Sequence, residues 1–224
     1  MKIYQLETAK EFSKKYLDEL NVEQLMIDEI CKKYVIKDYI INPDGSIDVD
    51  DNVNLYNYRL TKLPLKFNRV NGWFDCSDNN LISLKGSPKE VSVFFDCSNN
   101  NLITLEGSPI EINGSFYCNN NNLTSFEYIP KIIRGDFYCR FNNIKSFEYF
   151  PRFVKGDFWC DNNPIYEVWC LFEDTNKIEL LNDFDIFRDE DTDDPSIIID
   201  RLNDFLLTIG IETVGYVNGY KNIY

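Results

Sequence analysis

The 224-residue chain contains no histidine. That absence removes the commonest general base and the commonest metal ligand. Also missing are a glycine-rich phosphate loop, a serine nucleophile elbow and a C-x-x-C pair. Any catalysis would have to rest on carboxylates or cysteine. No stretch approaches the ~18 consecutive apolar residues of a membrane span. The first residues, Met1-Lys2-Ile3-Tyr4-Gln5-Leu6-Glu7, lack the apolar core of a signal peptide. A cytoplasmic protein with reduced thiols and no membrane association is therefore expected. Basic charge is scarce too, with 23 Lys and Arg against 37 Asp and Glu, a net charge of −14. Residues 171–224 carry most of that excess. Such a surface argues against nucleic acid as a partner and favours a basic protein.

What the chain does have is order at a fixed interval. Cys76, Cys97, Cys118, Cys139 and Cys160 stand 21 residues apart. Each closes a Phe-x-Cys triplet: Phe74, Phe95, Phe116, Phe137 and Phe158 precede them by two. An asparagine follows each cysteine by three (Asn79, Asn100, Asn121, Asn142, Asn163), and an aliphatic comes two later (Leu81, Leu102, Leu123, Ile144, Ile165). A second apolar residue comes next in most copies (Leu84, Leu105, Phe126, Phe147), then a proline four further on (Pro88, Pro109, Pro130, Pro151). The copy ends in an aliphatic (Val91, Ile112, Ile133, Val154) and often a glycine (Gly114, Gly135, Gly156). A degenerate earlier copy runs through Val53, Leu55, Tyr58, Leu60, Leu63, Val70 and Gly72. One supersecondary unit repeated at a fixed period predicts an α+β solenoid over residues 46–165.

The unit resembles the leucine-rich repeat, with Phe and Cys in its two strand leucine positions. Its length and its proline are similar to the short bacterial subclass, and the Phe-x-Cys-x-x-Asn-Asn-Leu form resembles repeats of many small bacteriophage proteins. The resemblance implies one parallel strand per repeat and a concave binding face. It further implies a viral protein that docks on a host bacterial factor, as an inhibitor of that factor or of a defence system. This family binds many unrelated partners, so the likeness speaks to fold more than to function.

Each position has a physical reading. In a strand alternate side chains point to opposite faces, so Phe and Cys of each triplet are expected inside, stacked on their counterparts. The asparagine is expected to turn inward and satisfy loop backbone groups. The proline suits an extended return path with no ladder amide to donate.

The ends are expected to act as caps. Residues 1–45 read as two helices, about 7–20 (Phe12, Tyr16 and Leu20 inward) and 22–34 (Leu25, Ile27, Ile30 and Cys31 inward), followed by a hairpin turned at Asn42-Pro43-Asp44-Gly45-Ser46. Residues 166–224 read as an acidic, mostly helical cap. It has helix over 164–187, then a last helix over 195–208 started by Asp194-Pro195, with Ile198, Leu202, Phe205 and Leu206 inward. A strand-like tail closes the chain. Cys31 and Cys170 are expected in the core.

Three clusters invite chemistry. The cysteine column offers soft ligands, but a line of stacked thiols is not a tetrahedron; a row of small buried hydrophobes is the expectation, with no metal and no cofactor. Asp44-Gly45-Ser46-Ile47 with Asp51 resembles half a calcium loop whose first ligand would be Ile40, and so reads as a turn. The acidic run Asp189-Glu190-Asp191-Thr192-Asp193-Asp194 reads as a solvated loop.

The side chains flanking Phe and Cys should face outward. They form the columns Asp75, Asp96, Tyr117, Tyr138, Trp159; then Ser77, Ser98, Asn119, Arg140, Asp161; then Trp73, Phe94, Ser115, Asp136, Asp157. Exposed Tyr, Trp and Arg are enriched in interface hot spots, although strand propensity also favours aromatics on a sheet. The expected binding residues are Asp75, Asp96, Tyr117, Tyr138, Trp159, Asn119, Arg140, Phe94 and Asp136, engaging a protein partner without catalysis. A structural role, as a virion or oligomer subunit, is the alternative.

Overall fold

The computed structural model describes residues 22–188 and 196–224. The helix expected over 7–20 and the Asp194-Pro195 helix start lie outside them. Helix α1 occupies 22–33. Strands β1 (Tyr39–Ile41) and β2 (Ile47–Val49) form the expected antiparallel hairpin, with Gly45 in the left-handed region at its turn. Strand β3 (Val53–Asn54) follows, and then two kinds of short strand alternate. One kind is β4 (Phe67–Val70), β6 (Glu90–Val91), β8 (Glu111–Ile112), β10 (Ile132–Ile133) and β12 (Phe153–Val154). The other is β5 (Phe74–Asp75), β7 (Phe95–Asp96), β9 (Phe116–Tyr117), β11 (Phe137–Tyr138) and β13 (Phe158–Trp159).

The alternation builds an α+β architecture of repeated strand pairs. Strands β3, β5, β7, β9, β11 and β13 form a six-stranded parallel sheet in which Phe74, Phe95, Phe116, Phe137 and Phe158 stand in register. Strands β2, β4, β6, β8, β10 and β12 form the parallel part of a seven-stranded sheet, with β1 at its edge. The early copy at Val53 joins in register with Phe74. The second sheet goes beyond the expected extended return path: the aliphatic column Val70, Val91, Ile112, Ile133 has its own ladder.

The core lies between the sheets. Phe74, Phe95, Phe116 and Phe137 are fully buried, and successive rings of the Phe column stack at 5.2–5.8 Å. Each such burial contributes about 1.5–3 kcal/mol relative to an exposed ring. Phe67 meets Phe74 edge-on at 5.0 Å and ties the two sheets together. All five cysteines of the column are buried. The glycines after the aliphatic column have a steric cause: a Cβ on Gly114 would collide with the Val93 carbonyl, and one on Gly135 would lie 2.6 Å from the Gly114 carbonyl carbon.

The asparagine ladder follows the expectation. Asn121 Nδ2 donates to the carbonyls of Cys97 (3.0 Å), Cys118 (3.3 Å) and Asn119 (3.2 Å), while its Oδ1 accepts from the Leu102 amide at 3.0 Å. Asn79, Asn100, Asn142 and Asn163 repeat the pattern, so each links its own loop to the preceding copy.

The C-terminal segment differs from its helical expectation. Residues 164–187 hold only α2 (Tyr166–Trp169), a 3-10 turn (Thr175–Lys177) and α3 (Ile178–Asp183). Strand β14 (Phe187–Arg188) then pairs with β15 (Ser196–Ile198), which pairs in parallel with β16 (Lys221–Ile223). The β-branched run Ile197-Ile198-Ile199 favours extended backbone, so α4 begins at Ile199 and runs to Thr208. Leu202, Phe205 and Leu206 are buried as expected; Ile198 is only half-buried. Leu25 and Cys170, expected inside, are exposed, whereas Ile27 and Cys31 are buried. No described helix is long and apolar enough to cross a membrane.

Candidate interaction face

The outer face of the six-stranded sheet is built from the residues between the buried Phe and Cys positions. Asp75, Asp96, Tyr117 and Tyr138 are half-buried, and Trp159 is 44% exposed. Register stacks this column: Tyr117 on Tyr138 at 4.9 Å, and Tyr138 on Trp159 at 6.2 Å with rings 5° apart. In the neighbouring column Trp73 stacks on Phe94 at 5.5 Å. Phe94 meets Tyr117 edge-on at 6.0 Å. The two columns therefore join into one unbroken path of five rings, Trp73–Phe94–Tyr117–Tyr138–Trp159. The separate columns did not reveal that continuity, because the step from Phe94 to Tyr117 crosses from one to the other. Aromatic pairs of this kind are worth about 0.5–1.5 kcal/mol beyond area burial.

Carboxylates flank the path. Asp75 accepts from Ser77 through its amide (2.9 Å) and hydroxyl (2.6 Å), and Asp96 accepts from the Ser98 amide at 2.8 Å. These turns draw Ser77 and Ser98 inward, so both serines are buried rather than outward as expected. Burial pushes the Asp96 carboxyl up to about 6, and the nearby Asp75 and Asp78 charges add to the shift. Desolvation, and then the Asp136 carboxylate, raise the Tyr138 phenol. Asp136 Oδ1 accepts from the Asp157 amide at 2.9 Å. Asn119 Oδ1 accepts from the Arg140 amide at 2.9 Å, and Arg140 Nε pairs with Asp161 at 2.6 Å.

Among the described residues Arg140 is the one cation in these three columns, and Asp161 occupies it. The basic side chains Lys89, Lys131, Arg134, Arg152 and Lys155 are exposed beside strands of the other sheet. The face thus combines aromatic rings with four carboxylates, Asp75, Asp96, Asp136 and Asp157, that have no cation among the described residues. Exposed rings and unpaired carboxylates are groups capable of cation–π and ionic contact.

No protein-family model, curated protein or solved structure matches this chain.

Two features escaped the columns. Phe141 is 49% exposed with φ of 54°, in the left-handed region. Its counterparts Asp78, Asn99, Asn120 and Asn162 share that backbone and are residues that tolerate it. An aromatic is thus kept at a strained, solvent-facing position. Its signal was available as the one break in an otherwise Asp/Asn column. The second feature is a cleft of about 670 Å³ at the β13 end, lined by Asp157, Trp159, Asp161, Tyr166, Trp169 and Glu173 among others. It forms where the 21-residue register stops, so no periodic signal marks it.

Burial raises the Cys76, Cys97, Cys118 and Cys139 thiols well above their usual range, keeping them protonated at neutral pH. Asp44 of the calcium-like turn is engaged by Lys66 at 2.6 Å and by Ser46.

Proposed function

We propose that the chain is a leucine-rich-repeat-like solenoid closed at both ends by non-repeat segments, and that it works as a non-catalytic protein-interaction module. Its partner docks on the concave face along the aromatic path, with Tyr117, Tyr138 and Trp159 as anchors. Asp75, Asp96 and Asp136 select a basic surface, while Asn119 and Arg140 fix orientation. The observation that carries this reading is the continuity of five stacked or edge-joined rings on a face where, among the described residues, Asp75, Asp96, Asp136 and Asp157 have no cation and Arg140 is paired with Asp161. Strand propensity would scatter aromatics over the sheet; it gives no reason for one connected path. The host-directed role implied by the phage-like repeats would make the partner a bacterial protein.

A photo-crosslinking amino acid placed at Tyr138, and separately at Ile110 beside the other sheet, tests the site against bacterial lysate. Ile110 is 66% exposed and Tyr138 is half-buried on the outer face, so any bias from exposure alone favours capture at Ile110. Covalent capture of one protein from position 138 alone is expected; equal capture from both positions would overturn the assignment.

A further inference from the structure

The six-stranded sheet ends on an open edge, and that edge faces the cleft. Along the ladder each strand donates to the next: the amides of Phe95 and Cys97 reach the Ser115 and Tyr117 carbonyls, and those of Phe137 and Cys139 reach Asp157 and Trp159. On β13 the equivalent amides belong to Phe158 and Cys160. Among the described residues β13 pairs with β11 alone, so no further strand receives them. The chain instead turns away through α2, and Glu173, Asp174 and Thr175 stand off as the opposite wall of the cleft. Its volume falls in the ~300–1,000 Å³ range of ligand clefts.

The aromatic path stops at the same place. One face of Trp159 is covered by Tyr138, and the ring lines the cleft. The residue that would stack next, Leu180, has left the repeat and lies in α3. Asp157, Asp161, Glu173 and Asp174 line the same cleft, while among the described residues its one basic side chain, Arg140, is bound to Asp161. Open strand edges recruit extended peptides through main-chain hydrogen bonds, with alternate side chains giving specificity.

We propose that β13 is a strand-addition site for an extended basic peptide of the partner, which takes the place of the missing next repeat. The peptide's carbonyls accept from the Phe158 and Cys160 amides. An arginine or lysine on it stacks over Trp159, held by Asp157, Glu173 and Asp174. The proposal rests on the concave-face reading and names the chemistry of the segment bound at its end. A second copy of the chain is the less favoured occupant, because the surface is strongly acidic and would repel itself.

The test titrates a fluorescent, short alternating Arg–Val peptide against the full chain, reading anisotropy and amide exchange. Saturable binding with slowed exchange at Phe158 and Cys160 is expected. Asp157→Asn/Glu173→Gln removes two of the three holding carboxylates and should weaken it about tenfold or more. Ile110→Ser, exposed beside the other sheet and outside the aromatic face, should leave it unchanged; equal weakening in that variant would mean charge-driven binding without a defined edge and would overturn the proposal. A backbone N-methylated version of the peptide keeps the charge but loses strand pairing and should bind at least tenfold more weakly. Equal binding of both versions, unchanged exchange at Phe158 and Cys160, or concentration-dependent self-association through this edge in light scattering would each overturn the proposal.

Discussion

Replacing Asn121 with alanine tests the internal bracing that holds the interaction face in register. The structure decides which of its four hydrogen bonds matters. Cys97 O keeps a second donor in Asn100 Nδ2, Cys118 O keeps Asn142 Nδ2, and Asn119 O keeps the Asn99 amide. The Leu102 amide donates to Asn121 Oδ1, has no second acceptor among the described residues, and is buried. One stranded buried donor costs about 1–3 kcal/mol, and the weakened carbonyls and the small void add to it. The expected loss is therefore about 3 kcal/mol in equilibrium urea denaturation, with the slope of the transition unchanged. Asn121→Asp separates the two halves of the side chain. It keeps the acceptor for Leu102 but turns a carboxylate towards three carbonyls. Burial and those oxygens raise its pKa above the unfolded value, so the cost is full above the folded pKa and is relieved as pH falls through it. Asn121→Asp should therefore gain stability relative to wild type on acidification, whereas the deficit of Asn121→Ala should not change with pH. A loss below about 0.5 kcal/mol for Asn121→Ala, or a pH-independent Asn121→Asp, would refute the bracing argument.

Other substitutions probe separate causes. Phe141→Asn should stabilise the fold by about 1 kcal/mol in thermal or urea unfolding, because asparagine accepts the left-handed backbone that strains phenylalanine. Asp96→Asn should stabilise near neutral pH, since the native carboxyl, raised to about 6, is ionised there at a desolvation cost the unfolded chain does not bear. That advantage should fade as pH drops through 6 and vanish below about pH 4, where both states are protonated, as read from denaturation midpoints across pH. Gly114→Ala should destabilise by about 2 kcal/mol or more, because its methyl has only the backbone of the preceding copy to displace; a circular-dichroism melt checks it.

Legibility in the sequence followed periodicity. The Phe, Cys and Asn positions were readable because they recur every 21 residues, and register then fixes which side chains face outward. Tyr117, Tyr138 and Trp159 could be placed for that reason. The seven-stranded sheet was harder to see: two-residue strands such as Glu90–Val91 show one buried and one open side chain, too short for alternation to register. Where the repeat stops, local pattern misled. The Ile197-Ile198-Ile199 run fits a helix face by spacing, yet pairing with β14 and β16 makes its first part a strand. The crossing from Phe94 to Tyr117 and the cleft beside β13 both depend on neighbours in space, which no column of equivalent positions contains.

The measurement that reaches the central claim most directly is the dissociation constant of the captured partner for wild type and for Tyr138→Ala/Trp159→Ala, with melting curves showing that both are folded. Two hot-spot aromatics removed from one continuous path should weaken binding at least a hundredfold, about 2.7 kcal/mol or more. An unchanged constant in a folded double variant would contradict the account.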